Sequence, residues 1–149
     1  MRDFFSMISL LFRPFFGGTL EEGIKAYEEF DYIKAFKIFQ KFADKNNPIA
    51  QYYLGKMYEK ADFVDKDINK AIFYFQKKKK NNHADAAFAL GMIYHRGKDI
   101  PKDDETAKDY FDLAIVNGNL EAKKIMKLFE ESEVIYSLRD GIELFKKEE

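Results

Sequence analysis

The sequence predicts an all-α fold, a right-handed solenoid of antiparallel helix pairs with terminal capping helices, and three observations carry that expectation. First, the stretch LGKMYEKADFVDKDINKAIFYF, from Leu54 to Phe75, is copied in LGMIYHRGKDIPKDDETAKDYF, from Leu90 to Phe111. Leu54 and Leu90, Gly55 and Gly91, Tyr58 and Tyr94, Asp67 and Asp103, Ala71 and Ala107, and Phe75 and Phe111 all stand 36 positions apart. A fixed period of this size marks a stacked array of helix pairs. Second, the small-residue joints Ala50, Ala86 and Ala122 keep the same spacing, and Lys34, Ala35 and Phe39 anticipate Lys70, Ala71 and Phe75. A shortened copy therefore precedes the two clear ones. Third, 16 Phe and 9 Tyr within a 46% hydrophobic composition supply ample bulk for packing helices on one another, which excludes a disordered chain.

The chain divides into an apolar N-terminal segment, residues 1–18, a repeat array, residues 19–131, and a C-terminal capping helix, residues 132–149. In the first segment the apolar run from Phe4 to Phe12 is far shorter than the ~20 residues a spanning helix needs. Arg2, Ser6, Ser9 and Arg13 would form a narrow polar stripe on a helix, opposite a broad apolar face containing Phe4, Phe5, Ile8, Leu11 and Phe12. Pro14 and Gly17-Gly18 end that pattern. Four roles fit such a segment: a cap folded back on the array, an interfacial membrane anchor, an insert into a partner, or a cleaved signal peptide. The last is opposed by Asp3 in the n-region and by the lack of an A-x-A-like cleavage site.

Helices are expected over residues 20–29 and 32–45, joined by the tight EFDY turn. Asn46, Asn47 and Pro48 break the second helix and start the next. The second pair is expected over residues 49–60 and 67–80, and the third over 84–96 and 103–116. Asp67 and Asp103 sit where a carboxylate accepts from the free N–H groups of the following turn. Gly97 suits a left-handed helix end, and Gly118-Asn119 stops one helix and caps another. The pattern restarts in AKKIMKLFEE, then gives way to a segment with Ile135, Leu138, Ile142 and Phe145 at helical spacing, read as the terminal cap.

The combination A-x-x-x-L-G-x-x-Y, a glycine-containing loop ending in Val or Ile, D-x-x-K-A-x-x-Y-F and a G-N-x-x-A joint resembles the Sel-one-like repeat family of tetratricopeptide-like α-solenoids. Residues 86–122 carry the pattern through Leu90, Gly91, Tyr94, Gly97, Ile100, Asp103, Ala107, Tyr110, Phe111, Ala114, Gly118 and Ala122. Residues 50–86 follow it more loosely, with Ala61 and Phe63 where loop glycines are usual. The resemblance implies a bacterial source and a groove lined by the first helix of each pair. Projected onto this sequence, that groove shows Tyr52, Lys56 and Glu59, then Phe88, Met92 and His95, then Lys124 and Leu128. An apolar centre with a charged rim is what a peptide-binding groove requires.

Other functions find little support. Lys plus Arg number 25 against 26 Asp plus Glu, so no global field draws in nucleic acid. With Cys 0 there is no disulfide, thiolate metal site or cysteine nucleophile. No metal-ligand motif, phosphate-binding loop or nucleophile elbow is present, and no serine begins an S-x-x-K. His83 and His95 are read as structural or solvated. The acidic clusters Asp62-Asp65-Asp67 and Asp103-Asp104-Glu105 are read as helix-start charges, and Lys77 to Lys80 as a helix end. The sequence thus points to a non-enzymatic interaction scaffold or adaptor without cofactor or metal. It would be cytoplasmic and would bind a protein partner, with a membrane-peripheral subunit attached through the Phe-rich N-terminus as the alternative.

Overall fold

The computed structural model describes residues 18–77 and 83–146, with side chains beyond Ser132 described only at Ile135. The described residues form seven α-helices and no strand: α1 (Leu20–Glu28), α2 (Tyr32–Ala43), α3 (Pro48–Lys60), α4 (Ile68–Gln76), α5 (Ala84–Arg96), α6 (Asp104–Val116) and α7 (Leu120–Lys146). This is the all-α helical-repeat class that the period predicts. The N-terminal residues Phe4, Phe5, Ile8, Leu11 and Phe12, and Lys78 to Lys80, lie outside the described residues. One difference concerns the C-terminus, where a separate helix from residue 132 was expected and α7 instead runs on without a break. Ser132 does not interrupt it, because its hydroxyl donates to the Phe129 carbonyl at 2.8 Å, a bond the helix tolerates.

The chain forms two compact units, the first ending at Tyr74 and the second beginning at Phe75, so that α4 spans the division. In the first unit α1 packs on α2 and α2 on α3, around Ala26, Ala35, Phe39, Ala43, Ala50, Leu54 and Met57. Small residues bring the helices together and Phe39 fills the space between them. A Cβ on Gly23 would lie 3.0 Å from the Phe39 ring. In the second unit α5 packs on α6 and α6 on α7, around Ala87, Ala107, Phe111, Ala114 and Ala122. Here a Cβ on Gly91 would meet the Phe111 ring at 2.5 Å, so this mid-helix glycine exists to admit the ring. Burying such a phenylalanine contributes roughly 1.5–3 kcal/mol.

Three joints share one device. After α1, Phe30 turns left-handed (φ 63°), and the Asp31 N–H donates to the Ala26 carbonyl at 2.8 Å. The Asp31 carboxylate then accepts from the Lys34 N–H and starts α2. Asn46 and Asn47 repeat this ahead of α3, and Gly118 and Asn119 ahead of α7. The residue that ends one helix thereby begins the next. The longer loops also copy each other: Ala61 (φ 64°) and Gly97 (φ 57°) end α3 and α5, and Asp67 and Asp103 cap α4 and α6 through the Lys70 and Thr106 N–H groups. Tyr58 stacks on Tyr74 at 5.8 Å, and Tyr94 on Tyr110 at 5.7 Å.

Candidate functional site

The first helix of each pair carries the residues projected onto the groove, and each unit presents its own set. In the first unit, Tyr52, Lys56 and Glu59 lie on α3, all half-buried. The Lys56 ammonium stands over three tyrosine rings, 5.0 Å from the centroid of Tyr27 and 5.4 Å from those of Tyr52 and Tyr53. Tyr52 and Tyr53 come from the preceding turn of α3, whereas Tyr27 comes from the end of α1. Tyr53 is fixed by a parallel stack on Phe39 at 4.7 Å and by the edge of Tyr27 at 5.1 Å. Tyr27 is anchored in turn, since its hydroxyl donates to the Asp62 carboxylate at 2.8 Å. Burial, and then that bond, push the Tyr27 hydroxyl well above the ordinary phenol range. A phenol bonded to a carboxylate is electron-rich, which strengthens its attraction for the ammonium.

Sequence reasoning missed Tyr27 and Tyr53. The signal for Tyr27 was the shortened first loop: three residues join α1 to α2, against seven from α3 to α4. Allowing for those four residues brings Tyr27 into register with Glu59 and His95.

In the second unit, Phe88, Met92 and His95 follow one another at i, i+4 and i+7 on α5. Phe88 and Met92 are half-buried and pack against the core, with the Phe88 and Phe111 rings 5.8 Å apart. They therefore belong partly to the core and partly to the surface. On α7, Lys124 is exposed and pairs with Glu121 at 2.7 Å, and Leu128 stands 60% exposed next to Phe129. Phe129 itself turns inward, 6.1 Å from Phe111.

His95 is placed by two elements besides its own. Its Nδ1 lies 2.7 Å from Asp104 Oδ1 at the start of α6, and its ring meets the Phe129 ring edge-on at 4.8 Å. The other Asp104 oxygen takes Lys102 Nζ at 2.8 Å. Burial raises the Asp104 carboxyl, but the bonds from Lys102 and His95 outweigh it and hold the group below its ordinary value. His83 serves differently, as the N-cap of α5, its Nδ1 accepting from the Ala86 N–H at 3.3 Å.

The acidic clusters supply helix caps at Asp67 and Asp103, a partner for Tyr27 at Asp62, and an ion pair at Asp104. No three His, Cys, Asp or Glu side chains among the described residues gather as a metal site. No described helix is long and apolar enough to cross a membrane.

Comparison with known proteins adds a family. The Sel1 repeat matches three times, over residues 17–47, 48–81 and 84–119. A protective antigen of uropathogenic Escherichia coli strains, described as displaying an SLR fold, is 27% identical with a TM-score of 0.69, over 76% of this chain and 25% of its own. A Sel1 repeat protein from Oxalobacter formigenes is also 27% identical, with a TM-score of 0.66, over 72% of this chain and 43% of its own. This chain thus spans a quarter and under half of those two structures. Helicobacter pylori cysteine rich protein B shares the fold, at 23% identity and a TM-score of 0.56, over 73% of this chain and 98% of its own. No curated protein matches the sequence significantly.

Proposed function

This chain belongs to the Sel1 repeat family, and from that premise we propose that it is a non-catalytic adaptor holding an apolar segment of a partner protein against the first-helix face of its repeats. Proteins built from these repeats generally mediate protein–protein interactions, and the solved relatives are bacterial. The observation that carries the finer reading is Leu128. It stands 60% exposed on α7 at the repeat position that Met92 occupies on α5, with Phe129 beside it tied to the core. An exposed leucine beside a half-buried aromatic side chain, at the position where the preceding repeat carries a half-buried methionine, has the composition of a binding hot spot. On the second unit His95 supplies the polar selection of orientation, and the first unit carries its own polar set in Glu59 and in Lys56 with its tyrosine setting.

Photo-crosslinking tests this reading in native extract. A photoreactive residue replacing Leu128 is expected to give a discrete protein adduct, whereas one replacing Val116, 84% exposed at the end of α6, gives none. Leu128→Glu is expected to weaken capture of the same partner about tenfold, the equivalent of ~1.4 kcal/mol of lost leucine burial. Equal adducts at both positions would remove the face from consideration. Retention of the partner by Leu128→Glu but not by a chain lacking residues 1–17 would favour attachment through Phe4, Phe5, Ile8, Leu11 and Phe12.

A further inference from the structure

His95 carries more information than a residue on the rim of a groove requires. Asp104 is an acceptor on both oxygens, one taken by Lys102 Nζ at 2.8 Å and the other facing His95 Nδ1 at 2.7 Å. Were Nδ1 unprotonated, its lone pair would face a carboxylate oxygen within hydrogen-bonding distance, with no proton between them. The proton of the neutral ring therefore sits on Nδ1, and Nε2 carries the lone pair. The edge contact with Phe129 holds the plane of the ring at 4.8 Å, so the direction of that lone pair is set by α6 and α7 together. Among the described residues nothing else bonds the ring. Among the described residues no side-chain nitrogen or oxygen is both fully buried and without a hydrogen-bond partner, so Nε2 reaches the surface of a side chain that is 36% exposed. It does so on the same face as Met92, one turn back along α5.

Resting on the proposed partner-binding face, we infer that His95 determines its specificity: Nε2 accepts a hydrogen bond from a neutral donor, a hydroxyl or amide N–H, carried by the partner segment about 5 Å from the apolar group seated on Met92 and Leu128. The spacing follows from the rise between Met92 and His95, three residues along α5. An acidic group on the partner would meet the lone pair and be rejected. Protonation of the ring reverses this choice, because Nε2 then becomes a donor. The charged groups around the ring are Asp104 and Lys102 on the α6 side, Arg96 on its own helix, and Lys108, whose ammonium lies over Phe129 at 5.4 Å.

The tautomer is read first, from imidazole 15N spectra of the full chain. In the neutral ring the expected pattern is a protonated Nδ1 and an unprotonated Nε2 at His95, with Asp104→Asn mixing the two tautomers. A proton found on Nε2 overturns the inference whatever the face binds. Binding is then read with a displayed random-peptide library as the probe, panned on the parent, on His95→Phe, on His95→Gln and on Leu128→Glu, each checked for native helicity. Peptides lost on Leu128→Glu are expected to carry a Ser, Thr, Asn or Gln near an apolar residue and to bind His95→Phe about tenfold more weakly. They should retain most of their affinity for His95→Gln, which keeps an acceptor. Peptides that need Leu128 but ignore His95→Phe would overturn the role of His95 and leave the face standing. A library yielding no Leu128-dependent peptide would overturn both.

Discussion

Ala61 and Gly97 hold the same place in successive repeats, and the backbone treats them alike although the side chains differ. Both turn left-handed to end a helix, at φ 64° and 57°. For an L-residue with a Cβ that conformation costs about 1–2 kcal/mol, and Ala61 is exposed, so no packing compensates. Ala61→Gly should therefore stabilise the chain by about 0.5–1 kcal/mol after the extra entropy of glycine in the unfolded chain is subtracted. The urea midpoint should rise with the slope unchanged. The reverse change at Gly97 should cost roughly 2 kcal/mol, because the new Cβ would fall 2.4 Å from the Lys102 Cβ and 2.7 Å from its Cα, where the backbone cannot yield cheaply. Gly91→Ala is a third test. Its Cβ would lie 2.5 and 2.6 Å from ring atoms of the fully buried Phe111, and the resulting overpacking of about 1–3 kcal/mol should exceed the ~1 kcal/mol gain in helix propensity. Pairing it with Phe111→Leu should recover part of the loss, a non-additivity that a purely local backbone effect would not show.

Among the helices, α5 is distinguished by its start. The caps of α2, α3, α4, α6 and α7 are Asp31, Asn47, Asp67, Asp103 and Asn119, whereas α5 begins with the His83 imidazole accepting from the Ala86 N–H. A protonated ring has no lone pair to offer there and sets a positive charge against the positive end of the helix. Replacing His83 with Asn should stabilise the chain by about 0.5–1 kcal/mol near neutral pH. The advantage should widen once the imidazole protonates, as measured by urea titration against pH. An advantage that does not change with pH would show that the ring does not serve as the cap. The helices and most caps were legible because the sequence states them twice at a fixed offset. Gly91 was legible as a point of close approach for the same reason. The Lys56 tyrosine setting was not, because Tyr27 reaches it through the one loop that is four residues shorter. The His95–Asp104 pair was hidden as well, since only the folded loop from Gly97 to Asp103 returns the start of α6 to the end of α5. The continuity of α7 was missed because its second half lacks the repeat pattern, and a helix can continue without one.

For the molecule as a whole, the repeat fixes how stability should respond to acid. Asp67, in the first unit, is held below the ordinary carboxyl range mainly by the Lys70 backbone N–H, and Asp103, in the second, by the Thr106 backbone N–H and hydroxyl. Each carboxylate binds its proton less readily in the folded chain than in the unfolded one, so unfolding takes up protons. Their contribution is fully present above the unfolded value, ~3.9 for aspartate, and is lost as pH falls through the lower folded values. Asp104, depressed by Lys102 and His95 against the effect of its burial, acts in the same direction. Asp67→Asn and Asp103→Asn both keep an oxygen that can accept the cap bond but have no proton to take up. Each variant should lose modest stability at pH 7 and flatten the decline of unfolding free energy as the pH falls below about 4. The two caps share no hydrogen-bond partner among those described, so the flattening should be additive in the double variant. The remaining slope should then respond to Asp104→Asn. If the double variant declines in acid as steeply as the parent, the repeated caps do not govern the acid response, and the Asp104 carboxylate, held by Lys102 and His95, becomes the group to test in their place.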